Sequence, residues 1–275
     1  MELGRKNILR INTYEAGRPI EEIKREMGLK KVIKLASNEN PLGPSPKSVE
    51  AIRRGISSLN RYPDANAFYL KKKLAKYYCL EPGNFSVGNG SDELIETAIK
   101  AFVEDDENIV VSDLTFLEYK IIAGVLSRNI EVVPLKYFKY DLEAIRRKIN
   151  RRTKLVFIAN PNNPTGTYVT RQEVEEFLKS IPESVLVVFD EAYDAFIDVN
   201  DFPSTLSYIK KGNVLVFKTF SKSYGLAGLR IGVAIGSAGV ISLLEKARQP
   251  FNVNLLAQLA SAAALEDKEF LIKTR

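Results

Sequence analysis

Lys222 stands between two hydroxyls, Ser221 and Ser223, in the stretch VLVFKTFSKSYGLAGLRIGVAIGS, and Arg230 heads the apolar run that follows. An amine held at a strand end and partly desolvated loses its proton and attacks a carbonyl, forming a Schiff base. Hydroxyls and a guanidinium close by suit a phosphate. The stretch therefore reads as a site for a ligand that joins a carbonyl to a phosphate. A lone Ser-Lys-Ser is more often a basic surface hairpin, so this reading depends on partners elsewhere in the chain.

Such partners exist. The run VLVVF ends in Asp190, with Glu191 and Tyr193 after it. An acid closing a fully apolar strand must find a cation or hydrogen-bond donors, or else stay neutral. A protonated pyridine nitrogen would be that cation, and the carboxylate would keep the ring an electron sink. The turn NPNNPTG presents Asn163, whose amide could donate to a phenolate oxygen. In GNGSDE, two glycines let backbone approach a ligand, and Ser91 is expected as the N-cap of a helix whose start is an anion site. Pyridoxal 5'-phosphate combines all these groups. Two other readings stay open. The acid-terminated strand also fits the magnesium strand of a phosphate-loop NTPase, although no G-x-x-x-x-G-K-[ST] string occurs. A non-catalytic binding module on the same fold would be marked by failure to react with borohydride.

The elements that must position these residues follow from apolar runs alternating with amphipathic ones. Strands are predicted over 84–88, 109–112, 130–135, 155–159, 185–189, 214–217 and 231–235. Helices are predicted over 47–57, 68–78, 93–102, 116–126, 142–149 and 172–180, and a helical pattern runs over 255–271. Alternating β and α with fully apolar strands means an α/β fold with a mostly parallel sheet covered on both faces. The last two strands lack a helix between them, so the final one is expected to be antiparallel. Ligands of such sheets sit outside the carboxyl ends of the strands, where the residues above fall. Ahead of the sheet come a charged arm and the loop LASNENPLGPSP, too rich in proline for a helix.

Composition narrows the chemistry. The chain has 275 residues, is 45% hydrophobic and 27% charged, and so can bury a large core. Its net charge of +6 comes from dispersed lysines and arginines, which favours anionic small molecules and argues against nucleic acid. There is no histidine, so acid–base work falls to Lys, Tyr, Asp, Glu or the single Cys79. No apolar run approaches membrane-spanning length and the start has no signal-peptide core, so a cytoplasmic protein is expected.

Taken together, NENPLGPSP, RYPD, GNGSDE, NPNNPTG, VVFDEAY, TFSKSYGLAGLRIG and RQPFN resemble the fold-type I pyridoxal-phosphate aminotransferases, and more narrowly the histidinol-phosphate aminotransferases. The resemblance covers essentially the whole chain. It implies a large cofactor-binding domain over 46–265, built on a mixed seven-stranded sheet with helices on both faces. An N-terminal arm and substrate-site loop would occupy 1–45. The start of a C-terminal small domain would occupy 266–275, with its remainder, and an arginine that grips the substrate, expected to be missing. By position, Lys222 would bind the cofactor and move the substrate proton, Asp190 would pair with the ring nitrogen, and Asn163 and Tyr193 would hold the phenolic oxygen. Ser91, Asp92, Ser221 and Arg230 would bind or border the phosphate, and Phe116 would stack on the ring where relatives usually have a tyrosine. Tyr62 would reach the partner subunit's phosphate, implying a homodimer with shared sites. Tyr14 and Asn40 are expected at the substrate. The implied reaction converts L-histidinol phosphate and 2-oxoglutarate to imidazole-acetol phosphate and L-glutamate in histidine biosynthesis. An aromatic aminotransferase or a threonine-phosphate decarboxylase would share the same cofactor residues.

Overall fold

Seven strands form one sheet in the order β1-β7-β6-β5-β4-β2-β3 in the computed structural model, which describes residues 3–14 and 17–275. The strands are β1 (Phe85–Gly88), β2 (Asn108–Ser112), β3 (Asn129–Val133), β4 (Thr153–Ala159), β5 (Leu186–Asp190), β6 (Val214–Thr219) and β7 (Gly232–Gly236). β2 to β6 run parallel, while β7 lies antiparallel to both β1 and β6. Successive residues of β2 and β5 are all buried, as they must be when both faces of a sheet are covered. Phe157, Phe189 and Phe217 come from three adjacent strands and belong to one continuous core.

The covering helices begin where side-chain caps allow. They are α1 (Ile20–Met27), α2 (Pro46–Gly55), α3 (Phe68–Tyr78), α4 (Ser91–Phe102), α5 (Glu118–Val125), α6 (Leu142–Lys148), α7 (Arg171–Ser180), α8 (Ala238–Ala247), α9 (Leu255–Ala264) and α10 (Lys268–Thr274). Ser45 caps α2, which has Pro46 in its first turn, and Thr170 and Glu173 form a reciprocal capping box on α7. No helix among the described residues is long and apolar enough to cross a membrane.

All seven predicted strands form, with ends shifted by a residue or two, and the last is antiparallel. Three expectations need correction. The pattern over 255–271 is two helices, because Asp267 caps a new start by accepting from the Phe270 amide. Before the break, Ala257, Ala260 and Ala264 are buried, while Leu256 and Leu259 lie against Gly55 of α2 and the Ala260 carbonyl accepts from Ser48 Oγ. Second, α8 was not foreseen; Ser237 caps it directly at the end of β7. Third, Ser91 is the first residue of α4 rather than its cap. Gly90 takes the cap position at φ 85°, and no side chain caps the α4 start.

Candidate active site

A cavity of about 650 Å³ opens at the carboxyl ends of the strands, within the size range of small-molecule sites. Six of the seven strands, all but β3, deliver a group to it. Asp190 closes β5, Lys222 and Ser221 follow β6, Arg230 precedes β7, and Ser91 and Asp92 start α4 after β1. Asn163 lies in the turn after β4 and Phe116 in the loop after β2, both on the cavity wall with Tyr193 and Tyr14.

Lys222 is fixed by the proline-rich loop. Its Nζ donates to the Ser37 carbonyl at 2.8 Å and lies 5.7 Å from the Tyr193 ring centroid. Asn40 Nδ2 reaches the carbonyls of Lys222 and Ser223, each at 3.2 Å, and Ser45 N donates to Tyr224 O at 3.1 Å. Gly225, at φ 67°, rests directly against this loop; a Cβ there would sit 2.0 Å from Gly43 O. Burial disfavours the ammonium and lowers the Lys222 pKa, and Arg230 acts in the same direction. A lowered amine pKa beside a cavity is what attack on a carbonyl requires.

Asp190 is buried at the cavity floor. Its Oδ2 accepts from Tyr119 Oη at 2.7 Å and its Oδ1 from Ala192 N at 3.2 Å. Burial pushes its pKa up to about 6, against the opposing pull of those two donors. Among the described residues no cation forms a salt bridge with it. A buried acid without an ionic partner, facing a cavity, fits a cationic ring nitrogen.

The phosphate end is built from close-packed backbone. A Cβ on Gly232 would meet the Gly90 carbonyl carbon at 2.9 Å and Ser91 N at 3.0 Å, so only glycine lets β7 lie against the start of α4. Arg230 Nη2 pairs with Asp92 Oδ2 at 3.0 Å, and a Cβ on Gly90 would meet the same guanidinium at 2.5 Å. The uncapped helix start, the guanidinium and the Ser221 hydroxyl suit a phosphate. With the lysine and the orphaned acid, the residues present fit pyridoxal phosphate.

Tyr193 Oη accepts from Asn38 Nδ2 at 3.0 Å, and burial raises its pKa. Asn162, next to the wall residue Asn163, is locked by Thr115 Oγ1 at 2.8 Å and by the Leu114 carbonyl at 3.0 Å. Tyr140 Oη lies 2.6 Å from Thr115 Oγ1 and accepts from Ala159 N, tying the wall loop to β4. Two expected residues stand elsewhere. Asn40 is outside this cavity, its amide engaged with the lysine turn and with Thr274 Oγ1 at 3.1 Å. Tyr62 is 82% exposed and stacks on Phe251 at 4.8 Å, away from the cavity of its own chain. Tyr119, Asn38 and Ser37 were not foreseen. The hydroxyl of a buried tyrosine always needs a partner, but that the partner is Asp190 follows only from the strand order.

The family described as "Aminotransferase class I and II" matches residues 30–275. The histidinol-phosphate aminotransferase of Moorella thermoacetica is 46% identical over 273 residues, which is 98% of this chain and 71% of that protein. The enzyme of the same name from Anaeromyxobacter sp. is 44% identical, covering 100% of this chain and 76% of that one. Among solved structures, histidinol-phosphate aminotransferase from Sinorhizobium meliloti in complex with pyridoxal-5'-phosphate superposes with a TM-score of 0.90 at 29% identity, over 100% of this chain and 74% of that one. Aspartate aminotransferase from Thermus thermophilus, at 21% identity and a TM-score of 0.78, shares the fold.

Proposed function

This chain belongs to the class I and II aminotransferases, and from that premise we propose that it exchanges the amino group of L-histidinol phosphate with 2-oxoglutarate, giving imidazole-acetol phosphate and L-glutamate in histidine biosynthesis. The observation that carries the reading is that Lys222, its pKa lowered by burial, and Asp190, buried with no ionic partner among the described residues, line one cavity. The relatives named for this activity, at 40–46% identity over nearly the whole chain, supply the substrate.

When bound, pyridoxal 5'-phosphate supplies an aldehyde that condenses with amines and a protonated ring that takes up the electron pair released at the substrate carbon. Lys222 Nζ would be the covalent attachment point and, once released, would carry the proton from that carbon. Asp190 holds the ring nitrogen protonated. Tyr193 Oη, oriented by Asn38, and the Asn163 amide hold the phenolic oxygen. Phe116, on the cavity wall, would stack on the ring without bringing a hydroxyl. Ser91, Asp92, Ser221 and Arg230 bind or border the phosphate. Tyr14, at the cavity wall, contacts the substrate, and Asn40 serves it indirectly by holding the lysine turn.

Tyr62 is exposed, stacks on Phe251 and does not line the cavity of its own chain. That placement supports a homodimer in which it serves the partner's site. Acting on water-soluble metabolites, the protein is read as cytoplasmic.

The test is a set of half-reactions with L-histidinol phosphate, phenylalanine, tyrosine and threonine phosphate, following the absorbance of the bound cofactor and identifying products. Fastest conversion with histidinol phosphate, to the oxo product, is expected. Faster conversion with phenylalanine, or loss of carbon dioxide from threonine phosphate, would replace this substrate.

A further inference from the structure

Tyr119 sits on α5 and has no surface exposed. Its ring stacks on Phe157 with centroids 4.8 Å apart and planes 14° from parallel, and meets the edge of Phe116 at 5.6 Å. Held on two sides, the ring has one orientation, and that orientation aims its hydroxyl at Asp190 Oδ2, 2.7 Å away. The Ala192 amide takes the other oxygen. One donor on each oxygen fixes the carboxylate plane and leaves each oxygen a lone pair.

We propose that Tyr119 is a positioning residue for the reaction: through its hydrogen bond it keeps Asp190 an oriented anion, and through its ring it sets the wall formed by Phe116. The proposal rests on the reading that Asp190 faces the cofactor's ring nitrogen. Tyr119 is no proton donor in its own right, because burial and the adjacent Asp190 hold its pKa well above the usual phenol range. The hydroxyl opposes the upward push of burial on Asp190, whose pKa stands at about 6. Other groups facing Asp190 are Asp92 at the start of α4, Lys222 after β6, Tyr140 before α6 and Tyr193 in its own turn. None of these makes a hydrogen bond to its carboxylate among the described residues.

The test is Tyr119→Phe, which removes one oxygen and keeps the ring packing. In the cofactor-free protein, carbon-13 NMR of the labelled aspartates, with Asp190→Asn for assignment, should place the Asp190 titration about one unit or more above that of the unsubstituted protein. In the loaded protein, nitrogen-15 NMR of labelled cofactor should show a less protonated ring nitrogen, because a more basic carboxylate takes a larger share of the proton. The kcat should fall roughly tenfold with KM little changed. A ring-fluorinated tyrosine at position 119, a stronger donor, should move the Asp190 titration the opposite way, and it keeps the test decisive if Tyr119→Phe folds poorly. Asp190 and ring-nitrogen signals unmoved in both folded variants would overturn the proposal and leave Tyr119 as packing. If the unsubstituted protein bound no cofactor, the reading of the previous subsection would fail. The role of Tyr119 in the reaction would fail with it, and the cofactor-free carboxyl titration would report only whether its hydroxyl sets the charge of Asp190.

Discussion

Lys218 is the penultimate residue of β6 and Lys222 lies in the turn after it, and their surroundings drive the two amines in opposite directions. Burial disfavours the charged form of both. At Lys218 it is outweighed by Glu191 and Asp194, which clamp the ammonium and raise its pKa. At Lys222, whose Nζ donates to a backbone carbonyl, burial prevails and the pKa is lowered. One amine is locked as a structural cation and the other is available as a nucleophile.

Borohydride reduction of the protein loaded with pyridoxal phosphate should therefore label Lys222 and leave Lys218 unlabelled, as read by peptide mass mapping. Lys222→Ala should lower turnover by about 10²–10⁴-fold, the usual worth of a positioned proton carrier. A label on Lys218 would break the assignment.

Asp190→Asn should reduce turnover by about 10²–10³-fold, the range for loss of a preorganised charge at a reacting centre. The phosphate end is untouched by this change, so equilibrium dialysis should find cofactor still bound. Near-normal turnover would make Asp190 structural.

The same substitution should act on stability with the opposite sign. In the cofactor-free protein the Asp190 pKa is raised from 3.8 to about 6, so as pH rises the unfolded carboxyl ionises first. Its stabilising contribution is complete below about pH 4 and is lost as pH rises through 6. The shift of roughly two units corresponds to about 3 kcal/mol. Asp190→Asn should thus stabilise the cofactor-free protein at pH 8 by about 1–3 kcal/mol, and the gain should vanish toward pH 4. Urea denaturation at the two pH values measures it, and an equal effect at both would contradict the assignment.

Gly225→Ala probes the contact between the lysine turn and the proline-rich loop. A side chain at φ 67° costs about 1–2 kcal/mol from conformation alone. The collision with Gly43 O adds to this by pushing away the loop whose Ser37 and Asn40 hold Lys222. Thermal denaturation should show a loss beyond the conformational figure, and cofactor affinity should fall as well. Unchanged affinity would mean that the loop does not set the lysine.

What was legible in the sequence was whatever a local pattern encodes. The inner strands announced themselves because both their faces are buried, leaving apolar runs such as VLVVF, and the polar residues ending those runs fell at the cavity by the rule for open sheets; the edge strand β3, partly exposed, was legible from its apolar residues alone. What stayed hidden depends on three-dimensional neighbours. Tyr119 meets Asp190 because β4 lies between β2 and β5 in the sheet. That Asn40 braces the lysine turn follows from the loop lying against Ser223 and Tyr224, which no local pattern encodes. The break at Asp267 escaped a reading by apolar periodicity because Leu265 stays buried through it, and the cap is completed by Ser45 from the far end of the chain.

The place of β7 in the sheet sets an order of events during synthesis. It is the last strand to leave the ribosome, yet it belongs between β1, the first, and β6. Until it emerges, β1 has no neighbour and β6 offers a bare edge, apolar over Val214–Phe217, of the kind that pairs with other chains. Lys222 is already made at that stage, but Arg230 and the glycine that seats β7 against α4 are only then following. A nascent chain thus carries its nucleophile, Ser221 and the start of α4 before the guanidinium of Arg230 and the strand that seats it are in place.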